Sequence, residues 1–173
     1  MKGISIAGRK RNDGIDFYQT PPQATKAILE REKLEGTILE PCCGAGAISG
    51  LIPNCVATDI RFGKDIFSYE NSSFDNVITN PPYRLGQEIV EKSLKIARKK
   101  VLLLLKLSFL ESAKRYEMFV NSPLKTVYVF CKRVQMYPEG QPKPKNSGTI
   151  AYAWYVWDKN YTGKPFIEWI RNH

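Results

Sequence analysis

Four consecutive residues, Asn80-Pro81-Pro82-Tyr83, follow the apolar run Val77-Ile78-Thr79 and have the composition of a turn at the end of a buried strand. A primary amide oxygen from Asn80 and the main-chain oxygen of Pro81 can each accept one N–H of a planar amino group. Such an amine is a poor nucleophile because its lone pair is delocalised. Two fixed acceptors favour the charged, tetrahedral nitrogen that forms when the amine takes up a carbon, which is electrostatic stabilisation of a transition state. Pro81 and Pro82 stiffen the turn and bring no N–H of their own that needs a partner. Tyr83 offers a flat face on which a heteroaromatic ring such as adenine can stack.

Two further groups belong to strand ends. Glu40-Pro41-Cys42-Cys43-Gly44-Ala45-Gly46 follows the short apolar stretch 37–40, and its glycines allow a ligand close to the backbone. Asp59 ends the stretch 55–60, 15 residues after Gly44. A carboxylate there can accept both ribose hydroxyls of an adenosine-bearing cofactor, for which a spacing of ~20 residues is usual. Asp65 can accept from the amino group of the cofactor's adenine while Ile66 or Phe67 packs on the ring.

The elements that must position these groups alternate. Residues 21–36 read as a helix that opens on prolines and stops at Gly36. The stretches 37–40, 55–60, 74–80 and 101–107 read as strands, with a short helix at 47–52 and an amphipathic one at 84–100. Residues 108–120 read as a helix with Ser108 as its cap. The last two β-rich runs, 125–134 and 149–157, have no helix between them. Trp154 and Trp157 read as core residues of the final strand. This order predicts an α/β fold: a doubly wound, mostly parallel seven-stranded sheet with an antiparallel edge hairpin. Ligands of such sheets collect beyond the C-terminal strand ends.

The chain has 173 residues, the length of one domain, read as a basic arm over 1–15 followed by a single domain over 16–173. Lys and Arg outnumber Asp and Glu by 26 to 17, a net charge of +9 that favours a polyanionic partner. The basic arm holds Arg9, Lys10 and Arg11, and the Pro- and Gly-rich loop 138–147 holds Lys143 and Lys145; these five are the expected nucleic-acid contacts. The four cysteines (42, 43, 55 and 131) lack zinc spacing and the one histidine is His173, so no metal is expected. The longest apolar run, Val101–Leu105, is too short to span a bilayer, and reduced thiols with no leader segment predict a cytoplasmic protein without membrane attachment. Monomer and dimer suit the sequence equally.

These motifs resemble those of the S-adenosylmethionine-dependent N6-adenine DNA methyltransferases. The resemblance is carried by residues 16–22 (DFYQTPP), 38–46 (ILEPCCGAG), 56–60 (VATDI), 63–67 (GKDIF) and 74–83 (FDNVITNPPY). The Tyr-x-Thr-Pro block before the glycine loop is similar to the gamma order. Residues 106–112 and 132–159 resemble small phage-type enzymes without a separate target-recognition domain. The resemblance implies a Rossmann-like methyltransferase domain with S-adenosylmethionine as cofactor and double-stranded DNA as partner. It further implies that Tyr18 and Thr20 sit against the methionine part of the cofactor, with Glu40 near its amino group and Cys42 among the cofactor-binding residues. Gly44 and Gly46 would line its path, Asp59 would hold the ribose, Asp65 and Ile66 the adenine, and Asn80 would face both cofactor and substrate. Asn80, Pro81, Pro82 and Tyr83 would form the substrate clamp, and Tyr137 or Phe109 would cover the second face of the flipped base. RNA adenine, a protein glutamine amide, and a non-catalytic nucleic-acid-binding role are the alternatives.

Overall fold

The computed structural model describes residues 18–138 and 148–172. The first half of the chain forms β1 (Tyr18–Gln19), α1 (Pro22–Leu29), β2 (Ile38–Glu40), β3 (Cys55–Ala57), β4 (Phe74–Thr79) and α2 (Gly86–Ile96). The second half forms β5 (Ala97–Lys106), α3 (Tyr116–Val120), β6 (Leu124–Phe130), β7 (Tyr137–Pro138), β8 (Tyr152–Asp158) and β9 (Phe166–Ile170). Seven strands make one sheet in the order β3-β2-β4-β5-β8-β6-β9, and β1 pairs separately with β7. In the large sheet β8 runs antiparallel to both its neighbours, while the remaining pairs are parallel. This is the mostly parallel, seven-stranded α/β architecture expected, but the antiparallel pair is not at the edge: β8 inserts between β5 and β6, and β9 adds a parallel strand outside β6.

The sheet is buried on both faces, and the period of two along β5 shows how. Leu102 and Leu104 join Trp154, Val156 and Tyr128 under α1, which contributes Ala24, Ala27 and Ile28. Val101, Leu103 and Leu105 face the other way, with Tyr155 and Trp157, under Ile89, Val90 and Ile96 of α2. An uninterrupted apolar run is what a strand covered on both sides requires. Trp154 and Trp157 are fully buried, as expected, and both indoles are satisfied: Trp154 Nε1 donates to Ala24 O at 2.8 Å and Trp157 Nε1 to Ser122 Oγ at 3.0 Å.

Several element boundaries differ from the sequence reading, each for a tertiary reason. The helix expected over 84–100 ends at Ile96, and Ala97–Lys100 opens β5 instead. These four residues favour helix on propensity, but each side offers a ladder: Ala97 pairs with Phe74, and Lys100 pairs with both Asn76 and Asp158. Arg98 then reaches Asp75 at 3.1 Å, and Lys100 reaches the buried Glu32 at 2.6 Å. The helix expected over 21–36 stops at Leu29; Glu32 beyond it also accepts from Tyr128 Oη at 2.9 Å. Gly36 serves the turn into β2 instead, at φ +92° with the Asp75 carboxylate where a Cβ would stand.

The stretch 47–52 holds only a 3-10 turn, Ser49–Leu51. The stretch 108–120 breaks into 3-10 turns at Leu107–Leu110 and Ala113–Arg115 before α3. There Ser112, not Ser108, caps a turn, accepting from Lys114 N at 3.1 Å. The strand β9, absent from the sequence reading, lies outside β6 at the sheet's rim. Among the described residues no helix is long and apolar enough to cross a membrane.

Candidate active site

The glycine loop and Asp59 are built as one unit. After β2 the chain turns through Gly44 (φ +57°) and Gly46 (φ +79°), backbone conformations that side chains beyond Cα disfavour. Cys43 N donates to Thr58 O at 2.9 Å, Thr58 N to Glu40 O at 2.9 Å, and Gly44 N to Asp59 Oδ2 at 3.0 Å. The other oxygen of Asp59 accepts from Arg61 N at 2.9 Å and Arg61 Nε at 3.2 Å. Asp59 is buried, so its first role is to clasp the loop to the end of β3. Its remaining lone pairs are what it has for a ribose.

Glu40 is 2 % exposed and accepts from Ser49 N at 2.7 Å. Burial raises its carboxyl to about 7; the Ser49 bond opposes the shift and the charge of Asp59 adds to it. Among the described residues no cation pairs with Glu40. A buried carboxylate that wants a positive neighbour fits a cofactor carrying an ammonium group, and the side-chain-free Gly44 and Gly46 leave room along the loop. Cys42 is half-buried in the same loop, its thiol pushed up to about 12 by burial and so unreactive at neutral pH. Asp65 starts a 3-10 turn by accepting from Phe67 N at 3.0 Å. Ile66 is buried in the core, whereas Phe67, its alternative in the sequence reading, is 37 % exposed, and Ile60, directly after Asp59, is 48 % exposed.

The Asn80 turn is the other half of the site. It follows β4, the strand beside β2, so it stands next to the glycine loop. Asn80 Nδ2 donates to Tyr18 O and to Thr20 Oγ1, both at 3.1 Å. A main-chain carbonyl can only accept, so this pair sets which way the amide faces: nitrogen toward β1, oxygen away from it. Tyr83 Oη donates to Asn80 Oδ1 at 3.0 Å, which leaves that oxygen a second lone pair. Pro81 is buried, and Pro82 O accepts from Leu85 N at 3.0 Å to close the turn.

Tyr83 is half-buried against Tyr18 (ring centroids 6.1 Å apart) and Tyr152 (5.5 Å), with Lys106 Nζ 5.0 Å from its ring centre. Lys106 ends β5, the neighbour of β4, and is a residue of this site that sequence reasoning passed over. Its only sequence signal is a lysine at the end of an otherwise apolar strand.

The two residues considered for the second face of a base separate here. Phe109 is buried, with Phe119 and Tyr155 on its edges and the Arg115 guanidinium 4.5 Å over its ring. It belongs to the core and has no face to give, because the 3-10 turn that replaced the expected helix points it inward. Tyr137 sits opposite Gln19 in the β1–β7 ladder, beside Tyr18 and hence beside the turn. Arg9, Lys10, Arg11, Lys143 and Lys145 lie outside the described residues. Among the described residues no group of His, Cys, Asp and Glu is arranged to hold a metal ion.

A fold with these features is shared by solved structures. A candidate class I S-adenosylmethionine-dependent methyltransferase from Listeria monocytogenes matches with a TM-score of 0.61 at 9% identity, covering 94% of this chain and 69% of that one. A candidate RNA methyltransferase from Pyrococcus horikoshii matches at 0.57 and 13% identity, covering 88% of this chain and 93% of that one. The methyltransferase subunit of a type I restriction-modification system from Streptococcus thermophilus matches at 0.55 and 15% identity, covering 87% and 45%. No protein-family model and no curated protein sequence matches the chain. The fold is therefore that of the Rossmann-like S-adenosylmethionine-dependent methyltransferases.

Proposed function

We propose that this protein transfers a methyl group from S-adenosylmethionine to the N6 amine of a flipped-out adenine in DNA, with short or slight sequence specificity. The observation that carries this reading is the orientation of Asn80: its oxygen is held as an acceptor at a strand end beside the glycine loop. The cofactor supplies an electrophilic methyl on a sulfonium. Glu40 would meet its ammonium, Gly44 and Gly46 would let it lie along the backbone, and Asp59 would hold its ribose.

Asn80 Oδ1 and Pro81 O would accept hydrogen bonds from the two amine N–H groups, favouring the positive charge that grows on nitrogen as its bond to the methyl carbon forms and the methyl–sulfur bond breaks. The thioether is the leaving group, and one N–H proton then passes to solvent. Holding the two reacting atoms in line supplies much of the remaining rate gain. Taking the base from a duplex costs a few kcal/mol, offset by stacking and these hydrogen bonds. DNA is supported by the net charge of +9 and by the motif resemblance; the nucleic-acid enzymes among the structural neighbours are consistent with it.

The test is incubation of unmethylated DNA with protein and cofactor, digestion to nucleosides and mass spectrometry. N6-methyldeoxyadenosine in the wild type and none with Asn80→Ala is the expected result. Cofactor binding without any methylated deoxynucleoside overturns the DNA reading, and the same assay on RNA and on glutamine peptides then finds the amine.

A further inference from the structure

The ammonium of Lys106 lies over the Tyr83 ring, and no carboxylate among the described residues pairs with it. The side chain is half-buried, the last of β5, and stands opposite Tyr152 in the β5–β8 ladder. Tyr83 and Tyr152 pack together, and Tyr83 holds Asn80 Oδ1, so Lys106 is joined to the amine acceptor through one ring. A cation over an aromatic face gains about 0.5–1 kcal/mol at an exposed site, less than a hydrogen-bonded anion gives. The charge is therefore only partly satisfied in the protein alone, at a place where the substrate arrives.

We propose that Lys106 is the anion contact of the substrate clamp: its ammonium takes a backbone phosphate flanking the target base. The inference rests on the base-clamp reading given above. A ring stacking on Tyr83 needs the space that the ammonium holds, and the flexible four-carbon stem lets the charge swing toward the edge where the sugar–phosphate backbone leaves the base. A free nucleoside and a glutamine side chain bring no anion to that point. Lys106 thus confines the clamp to bases carried on a polynucleotide, making it a specificity-determining residue.

The experiment uses an oligodeoxynucleotide with a single target adenine and compares wild type, Lys106→Gln and Lys106→Arg at several salt concentrations. Loss of one phosphate contact lowers the slope of log K against log salt by about one. With Lys106→Gln we expect that change and a KM raised by about tenfold at constant kcat, as loss of uniform binding requires. Lys106→Arg restores the slope.

Methylphosphonates at the linkages flanking the adenine reproduce the KM effect in the wild type and add nothing in Lys106→Gln. An unchanged slope, insensitivity to the methylphosphonates, or a fall in kcat at unchanged KM overturns the inference while leaving the clamp standing. A wild type that methylates no nucleic acid overturns the base-clamp reading, and this one with it.

Discussion

The amide nitrogen of Asn80 donates to the main-chain oxygen of Tyr18 across 62 residues of sequence, at 3.1 Å. With the bond from the same nitrogen to Thr20 Oγ1, it joins the Tyr-x-Thr-Pro block to the Asn-Pro-Pro-Tyr turn and turns the amide oxygen away from β1. Tyr18 is itself held in the β1–β7 ladder, so the acceptor is positioned by three segments far apart in the chain.

Asn80→Ala removes the acceptor and both donor contacts. Loss of one preorganised hydrogen-bonding group at a developing charge costs about 10²–10³-fold in kcat. We expect at least that loss in a radiolabel transfer assay, with cofactor affinity by calorimetry within about threefold of wild type. Transfer at the wild-type rate would refute the clamp.

Tyr83→Phe separates the hydroxyl from the ring. The Tyr83 hydroxyl bond to Asn80 Oδ1 is removed, at a stability cost of about 1 kcal/mol, while the ring packing against Tyr18 and Tyr152 is retained. Activity should fall only a few-fold, whereas Tyr83→Ala, which also removes the stacking face, should fall far more. Equal losses in the two variants would show that the hydroxyl, not the ring, matters.

Glu40 makes the fold pH-sensitive. Its folded value of about 7 lies above its ordinary value of 4.5, so between those pH values the folded state holds a proton that the unfolded chain has released. Stability therefore falls as pH rises through that window, by about 3 kcal/mol in all. Glu40→Gln, which can still accept from Ser49, should melt higher than wild type at pH 8 and alike at pH 4.5. The proposed pairing of Glu40 with the cofactor's ammonium further predicts weaker cofactor binding by this variant. A melting difference that does not change with pH would refute the assignment.

Trp154→Phe tests the core beneath α1. It removes volume and leaves Ala24 O without the indole donor. A loss of about 1–3 kcal/mol in urea denaturation is expected, and cofactor affinity should drop with it because α1 follows directly from Thr20. A change within about 0.5 kcal/mol would mean that the helix is anchored elsewhere.

Much of this architecture was legible in the residues themselves. Val101–Leu105 read as a strand buried on both faces because no position in the run is polar, and the turn residues after 40 and 80 marked strand ends to within a residue. The stretch read as a strand to 60 instead ends at Ala57, because Asp59 caps the 3-10 turn that follows. The residues thus pointed to a doubly wound sheet and placed an amide, acidic groups and a glycine loop at strand ends; that Glu40 and Asp59 are buried there is a property of the folded chain. Contacts between distant segments set the rest. Ala97–Lys100 turned from helix to strand because β4 and β8 offered ladders on either side, and long-range pairing outweighs local propensity. Phe109 went to the core because its turn faces Tyr155, and Asp59 became a clasp because Gly44 N came within 3.0 Å of it. Lys106 entered the site, and Asn80 acquired its orientation, through contacts between segments that share no local pattern; hydrophobic periodicity reports which face of an element is buried, not which polar atom meets which across the fold.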